Sequence, residues 1–268
     1  MDLRIENKAA IVTGGSTGVG KAIAQELALN GARVLITARD KDRLEATANS
    51  IREYTGADII AVASDVSEAE APTQLVKEAL TQFGGVDILV NNAGRAHAGG
   101  LMDTNDNDWD DMIGTKINAL VRLCRDAIPH MRAAGWGRIV NISSIGGIYS
   151  NPKLLISHTL SAAINNFTKG LALEVAADGI LVNAIGLGAI ATPNWTNNMV
   201  PLVRATRKDM ADLSEEELVK RLGKEKTPVG QFGQPEDIAD IAAFFASDRN
   251  QFVTGSTIEA SGGADRFI

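Results

Sequence analysis

Thr13-Gly-Gly-Ser-Thr-Gly-Val-Gly20 is the stretch that decides the fold of this chain. It follows a short apolar run, Ala9-Ala-Ile-Val12, and opens a helix. Glycines at such a strand-to-helix turn leave the first N–H groups of the helix, and the positive end of its dipole, free to hold a pyrophosphate. Gly14, Ser16, Thr17, Gly18, Val19 and Gly20 therefore form a candidate phosphate cradle for a dinucleotide. A glycine triplet alone is a weak signal, so its meaning depends on the flanking sequence.

That flanking sequence alternates regularly. Short β-branched runs lie at Ala9 to Val12, Arg33 to Thr37, Ile59 to Ala63, Ile88 to Val90, Arg138 to Ile142, Ile180 to Ile185 and Thr257 to Glu259, with longer helical patterns between them. This is the rhythm of a parallel sheet covered on both faces. One helix is expected to begin near Pro152-Lys153, with Leu160, Ile164, Phe167 and Leu171 on one stripe. The 268 residues fit one α/β domain, a doubly wound parallel sheet of about seven strands. Only Pro193 to Pro228 breaks the rhythm. This segment carries Trp195, Met210 and a charged helix around Ser214-Glu-Glu-Glu-Leu218, and it follows a strand end, where ligands of open α/β sheets bind. It is expected to be a substrate lid, with a structural or oligomer-contact helix pair as the alternative.

Composition narrows the partners. Apolar residues make up 45% and charged residues 22%, and no apolar run approaches the roughly 18 residues of a membrane span. The start runs straight into a buried strand without the regions of a signal peptide, so a cytoplasmic location and no membrane partner are expected. Net charge is −7 with 4% aromatics and no basic stripe, which excludes the electrostatic footprint of a nucleic-acid binder. The lone Cys124 sits among Leu120, Val121, Leu123 and Ile128 and reads as core. No cluster has metal-ligand spacing.

Further motifs multiply the glycine signal: Asp65-Val66 after the third strand, Asn91-Asn-Ala-Gly94 after the fourth, and Asn183-Ala-Ile-Gly-Leu-Gly-Ala-Ile-Ala-Thr192 after the sixth. Together, from about Lys8 to Gly263, they resemble the short-chain dehydrogenase/reductase family, which implies a Rossmann-type sheet and an NAD(P)-dependent oxidoreductase. The resemblance implies that Asp65 and Val66 contact adenine and that Asn91 braces the sheet, with Ala93 and Gly94 beside the coenzyme. It also implies that Ile190 and Thr192 hold the nicotinamide carboxamide. The family's usual Pro-Gly is here Leu187-Gly188. Where NAD-preferring members carry an acid after the second strand, this chain has Ala38 and then Arg39, a planar fork of donors suited to a 2′-phosphate. NADP(H) is expected over NAD(H).

The family's catalytic set is Asn, Ser, Tyr and Lys, and here the chain departs from it. Gly137-Arg-Ile-Val-Asn-Ile-Ser-Ser144 places Ser144 at the family serine. Downstream, Ala162-Ala163 and Phe167-Thr-Lys-Gly-Leu-Ala-Leu-Glu174 put Ser157 at the Tyr position and Ser161 at the Lys position. The family Asn falls on Lys116; Asn118, two residues along, is about 200° away on a helix. Lys116, Ser144, Ser157 and Ser161 are thus the candidate catalytic residues. Replacing Tyr and Lys by serines should leave a polar cavity into which Lys116 extends as proton donor, its pKa lowered by desolvation. The alternative for the serines is that they bond the preceding helical turn or hold water in a dead site.

A literal Tyr149-Ser-Asn-Pro-Lys153 reads as a decoy, since it contains Pro152 and shifts the register. Tyr149, His97 on the loop after Gly94, and Trp195 are candidate substrate contacts, whereas His158 reads as packing and His130 as surface. Arg95, beside Gly94, reads either as a contact for an acidic substrate group or as a loop charge. The leading function is an NADP(H)-dependent oxidoreductase acting on a small or medium, partly apolar carbonyl or activated C=C compound. A non-redox Ser/Lys hydrolase or lyase and an inactive NADP(H)-binding protein stand beside it. The resemblance also implies a homo-oligomer, tetramer or dimer.

Overall fold

The computed structural model describes residues 2–264. Its strands are β1 (Ala9–Thr13), β2 (Arg33–Ala38), β3 (Ile59–Ala63), β4 (Ile88–Asn91), β5 (Gly137–Ser144), β6 (Ile180–Leu187) and β7 (Thr257–Ala260). Each contains its expected run, and all but β3 extend it, by up to three residues in β5, where the ladder continues. All pair in parallel, in the order β3-β2-β1-β4-β5-β6-β7. Leu187 illustrates the extension: a proline would lack a ladder N–H, whereas Leu187 stays in register opposite Ser144 and Ala260.

The helices are α1 (Gly18–Leu29), α2 (Lys41–Thr55), α3 (Ala71–Phe83), α4 (Asp106–Ile113), α5 (Ala119–Ala134), α6 (Leu155–Val175), α7 (Pro193–Thr206), α8 (Glu215–Lys226) and α9 (Pro235–Ala246). The period of two along each strand decides which helices it meets. In β1, Ala10 and Val12 join Ile23 and Leu27 of α1, Leu44 of α2 and Phe245 of α9 in one core. Ala9 and Ile11 join Leu75 of α3, Leu123 of α5 and Ile164 of α6 in the other. Cys124 is buried in this second core.

Two local features differ from the sequence reading. Helix α6 starts at Leu155 rather than near Pro152, because Asn151 Oδ1 accepts from the Lys153 N–H and Leu154 bridges to Gly99. Between α4 and α5 the helical path continues through a π turn, Gly114–Asn118, which carries Lys116.

The 193–228 segment folds as α7 and α8 around a small core, Val200, Val203, Met210, Leu218 and Leu222, which Phe232 beyond the segment completes. Ser214 and Glu217 form a capping box that starts α8. Among the described residues, no helix is long and apolar enough to cross a membrane.

Candidate active site

In this strand order the chain runs outward in opposite directions from β1 and β4, so the crevice of the doubly wound sheet lies at their carboxyl ends, Thr13 and Asn91. Thr13 Oγ1 accepts from the backbone N–H groups of Asn92 and Ala93, both at 2.9 Å. The Asn92 side-chain amide donates to Thr13 O at 2.8 Å and Gly14 O at 3.2 Å, fixing the turn from the side. Gly14 has φ of 66°, a left-handed conformation that a side chain would strain. A Cβ on Gly20 would lie 2.2 Å from Gly14 O and 2.4 Å from Asn92 Nδ2, so α1 can approach the turn only because Gly20 has none.

Thr17 is the N-cap of α1 in extended conformation, and its side chain makes no cap bond. The first N–H groups of α1 thus remain available to an anion. Ser16 is buried, with its carbonyl accepting from Thr47 Oγ1, and Val19 joins the core below. A Cβ on Gly18 would be 3.3 Å from Thr192 Cγ2, so the turn after β1 and the loop after β6 face each other. Ile190 pairs with Gly233, and the Thr192 hydroxyl caps α7 by accepting from Trp195 N at 3.1 Å.

Past β2, Arg39 is exposed and lies 3.9 Å from Asp65. Burial works against the Asp65 carboxylate, but bonds from the Ser67 hydroxyl and backbone, together with Arg39, hold it below its ordinary pKa. Val66 beside it is buried. Asn91 donates to Asn141 Oδ1 across β4 and β5 at 2.8 Å, and Asn141 donates to Thr168 of α6 at 2.9 Å. Neither Thr13 and Asn92 at the turn nor Asn141 figured as site residues in the sequence reading, because their partners lie far along the chain.

The π turn orients the two positions differently: Lys116 is half-buried and Asn118 exposed. The Lys116 side chain packs on Gly94, where a Cβ would sit 3.2 Å from its Cε. It lines a cavity of about 10 Å³ with Thr13, Asn91, Ala93 and Ile142. Burial pushes the ammonium down to about 8. Among the described residues, no hydrogen bond or ion pair engages it.

The serines are placed differently from the cavity expected around them. Ser161 is fully buried and donates to Ser157 O at 2.8 Å, the bond to the preceding turn, while Ser143 donates to Ser161 O at 3.2 Å. Ser157 Oγ accepts from His97 N at 2.6 Å and donates to His97 O at 3.4 Å. Ser144, half-buried at the end of β5, accepts from Gly146 N at 3.0 Å. These hydroxyls do not line the cavity beside Lys116, and no hydrogen bond joins them to it. The reason is local: a serine short of a partner finds the nearest backbone group, and here each does.

Tyr149 lies half-buried in the loop after β5, and Lys153 of the decoy pair is exposed. The Trp195 ring packs edge-on to Phe232, 4.7 Å between centroids, within the insertion's small core. Arg95 pairs with Asp111. His158 is buried, its Nδ1 accepting from Asn151 N, and burial, with Lys116 nearby, lowers its pKa. His130 is exposed. His97 Nε2 lies 3.3 Å from Asp108 Oδ1. Asp108 was missed from the sequence; the signal that finds it is the capping box Asn105-x-x-Asp108 at the start of α4.

Known proteins resemble the chain over nearly its whole length. A family model described as Enoyl-(Acyl carrier protein) reductase matches residues 14–265. A 3-oxoacyl-(acyl-carrier-protein) reductase FabG of Staphylococcus aureus is 35% identical over 257 residues, covering 96% of this chain and 97% of that protein. The FabG of Aquifex aeolicus is 32% identical, covering 98% and 99%. The L-sorbose reductase of Gluconobacter frateurii, solved in complex with NADPH and L-sorbose, superposes with a TM-score of 0.93 at 35% identity over 100% of both chains. The chain belongs to the short-chain dehydrogenase/reductase family of NAD(P)-dependent oxidoreductases.

Proposed function

We propose that the chain is an NADP(H)-dependent reductase of small or medium, partly apolar carbonyl or activated C=C compounds, with Lys116 as the proton donor. The observation that carries this reading is Lys116 itself, an ammonium unpaired among the described residues and set against Gly94 at the carboxyl edge of β1 and β4, with a pKa of about 8. Such a group holds a proton at neutral pH and gives it up readily, as a general acid must.

The coenzyme fits the residues present. The α1 N–H groups would hold the pyrophosphate, where glycines keep the backbone clear of Cβ atoms. Arg39 would pair with the 2′-phosphate, Asp65 and Val66 would bound the adenine, and Ile190 with Thr192 would face the nicotinamide. When bound, the reduced coenzyme supplies the hydride. The protein's own part is to orient the acceptor and deliver the proton. Support for a carbonyl acceptor comes from the relatives named for 3-oxoacyl and L-sorbose reduction, and support for NADPH from the sorbose reductase complex.

The 193–228 segment serves in this reading as the lid, hinged where Thr192 caps α7. Exposed Leu173 on α6 and Phe252 before β7 suit contacts within a homo-oligomer. One observation favours a second reading, coenzyme binding without turnover: Ser157 and Ser161 spend their hydroxyls on backbone groups.

NADPH oxidation is followed with a panel of ketones and activated alkenes. Turnover that falls by roughly 10²- to 10⁴-fold in Lys116→Met with unchanged coenzyme affinity is expected. Tight NADPH binding with no consumption across the panel rejects the reductase in favour of the second reading.

A further inference from the structure

The loop from Gly94 to Gly100 connects the two sides of the candidate site. At one end Gly94 touches Lys116, and at the other Gly99 bridges to Leu154 ahead of α6. Between them His97 is pinned twice. Its backbone N–H and C=O are both bonded to Ser157 Oγ, and its Nε2 faces the Asp108 carboxylate at 3.3 Å. His97 is three residues from Gly94, so its Cα lies within roughly 10 Å of that contact.

Asp108 decides which ring nitrogen carries the proton. The Asn105 backbone N–H holds the Asp108 carboxyl below its ordinary pKa, with His97 and Arg95 adding to the effect. A carboxylate only accepts, so Nε2 must be the N–H nitrogen. In the neutral ring Nδ1 is then a lone pair, and it is buried with no partner among the described residues. A buried acceptor without a donor costs free energy, and a ligand that brings a donor recovers it.

We propose that His97 is a fixed hydrogen-bond acceptor for a substrate hydroxyl, so that the preferred substrates are carbonyl compounds bearing a free hydroxyl close to the carbonyl. The proposal rests on the carbonyl-reductase reading and narrows it. An acceptor of this kind has nothing to offer a carbonyl, carboxylate or methyl group in the same place. It therefore favours a hydroxyketone over a plain ketone or a 3-oxoacyl thioester. A site built to pair with a hydroxyl discriminates strongly against the analogue lacking one, because the site's own polar group is left unpaired.

The test compares hydroxyacetone with butanone, which differ by a hydroxyl in place of a methyl, using the whole chain and NADPH. The wild type is expected to favour hydroxyacetone in kcat/KM by roughly 10- to 100-fold. His97→Leu should bring the ratio below about 3-fold without changing NADPH affinity, and Asp108→Asn, which frees the tautomer, should fall between. His97→Leu leaves the loop anchored, because Ser157 holds the backbone of residue 97 rather than its ring.

Nitrogen NMR of the His97 ring provides a readout independent of turnover. The proton is expected on Nε2, and hydroxyacetone, but not butanone, should shift Nδ1 in the NADPH-loaded protein. A proton on Nδ1, no preference in the wild type, or a preference that survives His97→Leu overturns the proposal. If NADPH binds and neither ketone is reduced, the reductase reading fails separately. A hydroxyacetone-specific Nδ1 shift then still sustains the acceptor role, and its absence ends it.

Discussion

The wall of the cleft built on β1 and the wall built on α6 treat their polar groups in opposite ways. At β1 the backbone is held rigidly by Thr13 and Asn92, yet the first N–H groups of α1 are left unspent and the Thr17 hydroxyl takes no cap bond. At α6 the Ser157 and Ser161 hydroxyls are consumed by backbone groups, and among the described residues of that helix Asn165 Oδ1 is the buried side-chain atom left without a partner. A surface prepared for a ligand keeps its donors free, whereas hydroxyls already bonded to backbone have none to offer. The titratable groups left near α6 come from across the cleft, Lys116 from the π turn and His97 from the loop above it.

The contrast breaks most visibly at Gly20. In Gly20→Ala the new Cβ would meet Gly14 O at 2.2 Å, backbone that Asn92 holds in place. Coenzyme affinity is expected to fall more than about 100-fold and stability by about 3 kcal/mol or more, read by NADPH fluorescence titration and thermal melting. Retained affinity would mean that the turn is not the coenzyme's anchor.

Arg39→Glu sharpens the same side. Arg39 is exposed and only loosely paired with Asp65, so it is free to meet a 2′-phosphate. Removing that charge-assisted contact and adding a repelling carboxylate should raise the Kd for NADPH roughly 10- to 100-fold while leaving NADH little changed. Equal effects on the two coenzymes would assign Arg39 to the solvated surface.

On the other wall, Lys116 links chemistry to stability. The unfolded chain keeps its proton up to the ordinary 10.5, whereas the folded chain loses it near 8. Between those values the unfolded state binds more protons, so this group's contribution to stability rises with pH across that window. Below pH 8 the buried ammonium is fully costly, and Lys116→Met should stabilise the protein there by on the order of 1 to 3 kcal/mol. The gain should shrink toward zero by pH 10.5, as checked by denaturant titrations at a series of pH values. A gain independent of pH would mean that packing, not charge, limits this site.

These regions also differ in how far they could be read from the chain alone. The strands and the glycine turn depend on local patterns, period-two apolar runs and Gly14-to-Gly20 spacing, and they fall where those patterns lie. The partner of Ser157 is 60 residues away in the backbone of His97, a bond that no periodicity encodes. The π turn has no marker of its own, yet it orients Lys116 inward and Asn118 outward. Counting at a fixed angle per residue separates those two positions without showing which one points in. Asp108 sits in a run of acids, and only its cap bond and the folded loop distinguish it from its neighbours.

The smallest expected effect separates the two serines that the register treats as a pair. Ser157→Ala removes the acceptor of the His97 N–H, a half-buried donor in a loop with few other anchors, and should cost about 1 to 2 kcal/mol. It should also change the hydroxyketone preference, because the backbone bond that fixes residue 97 is then lost. Ser161→Ala removes a donor to Ser157 O, a carbonyl already within a helix, and should cost less than about 1 kcal/mol with no change in substrate preference. Denaturant midpoints and the hydroxyacetone-to-butanone ratio measured on both variants decide the matter. If the two serines behave alike and both abolish turnover, their hydroxyls act in the chemistry after all. In that case the bonds seen here are a resting arrangement that substrate displaces, and the α6 wall is no more closed than the β1 wall.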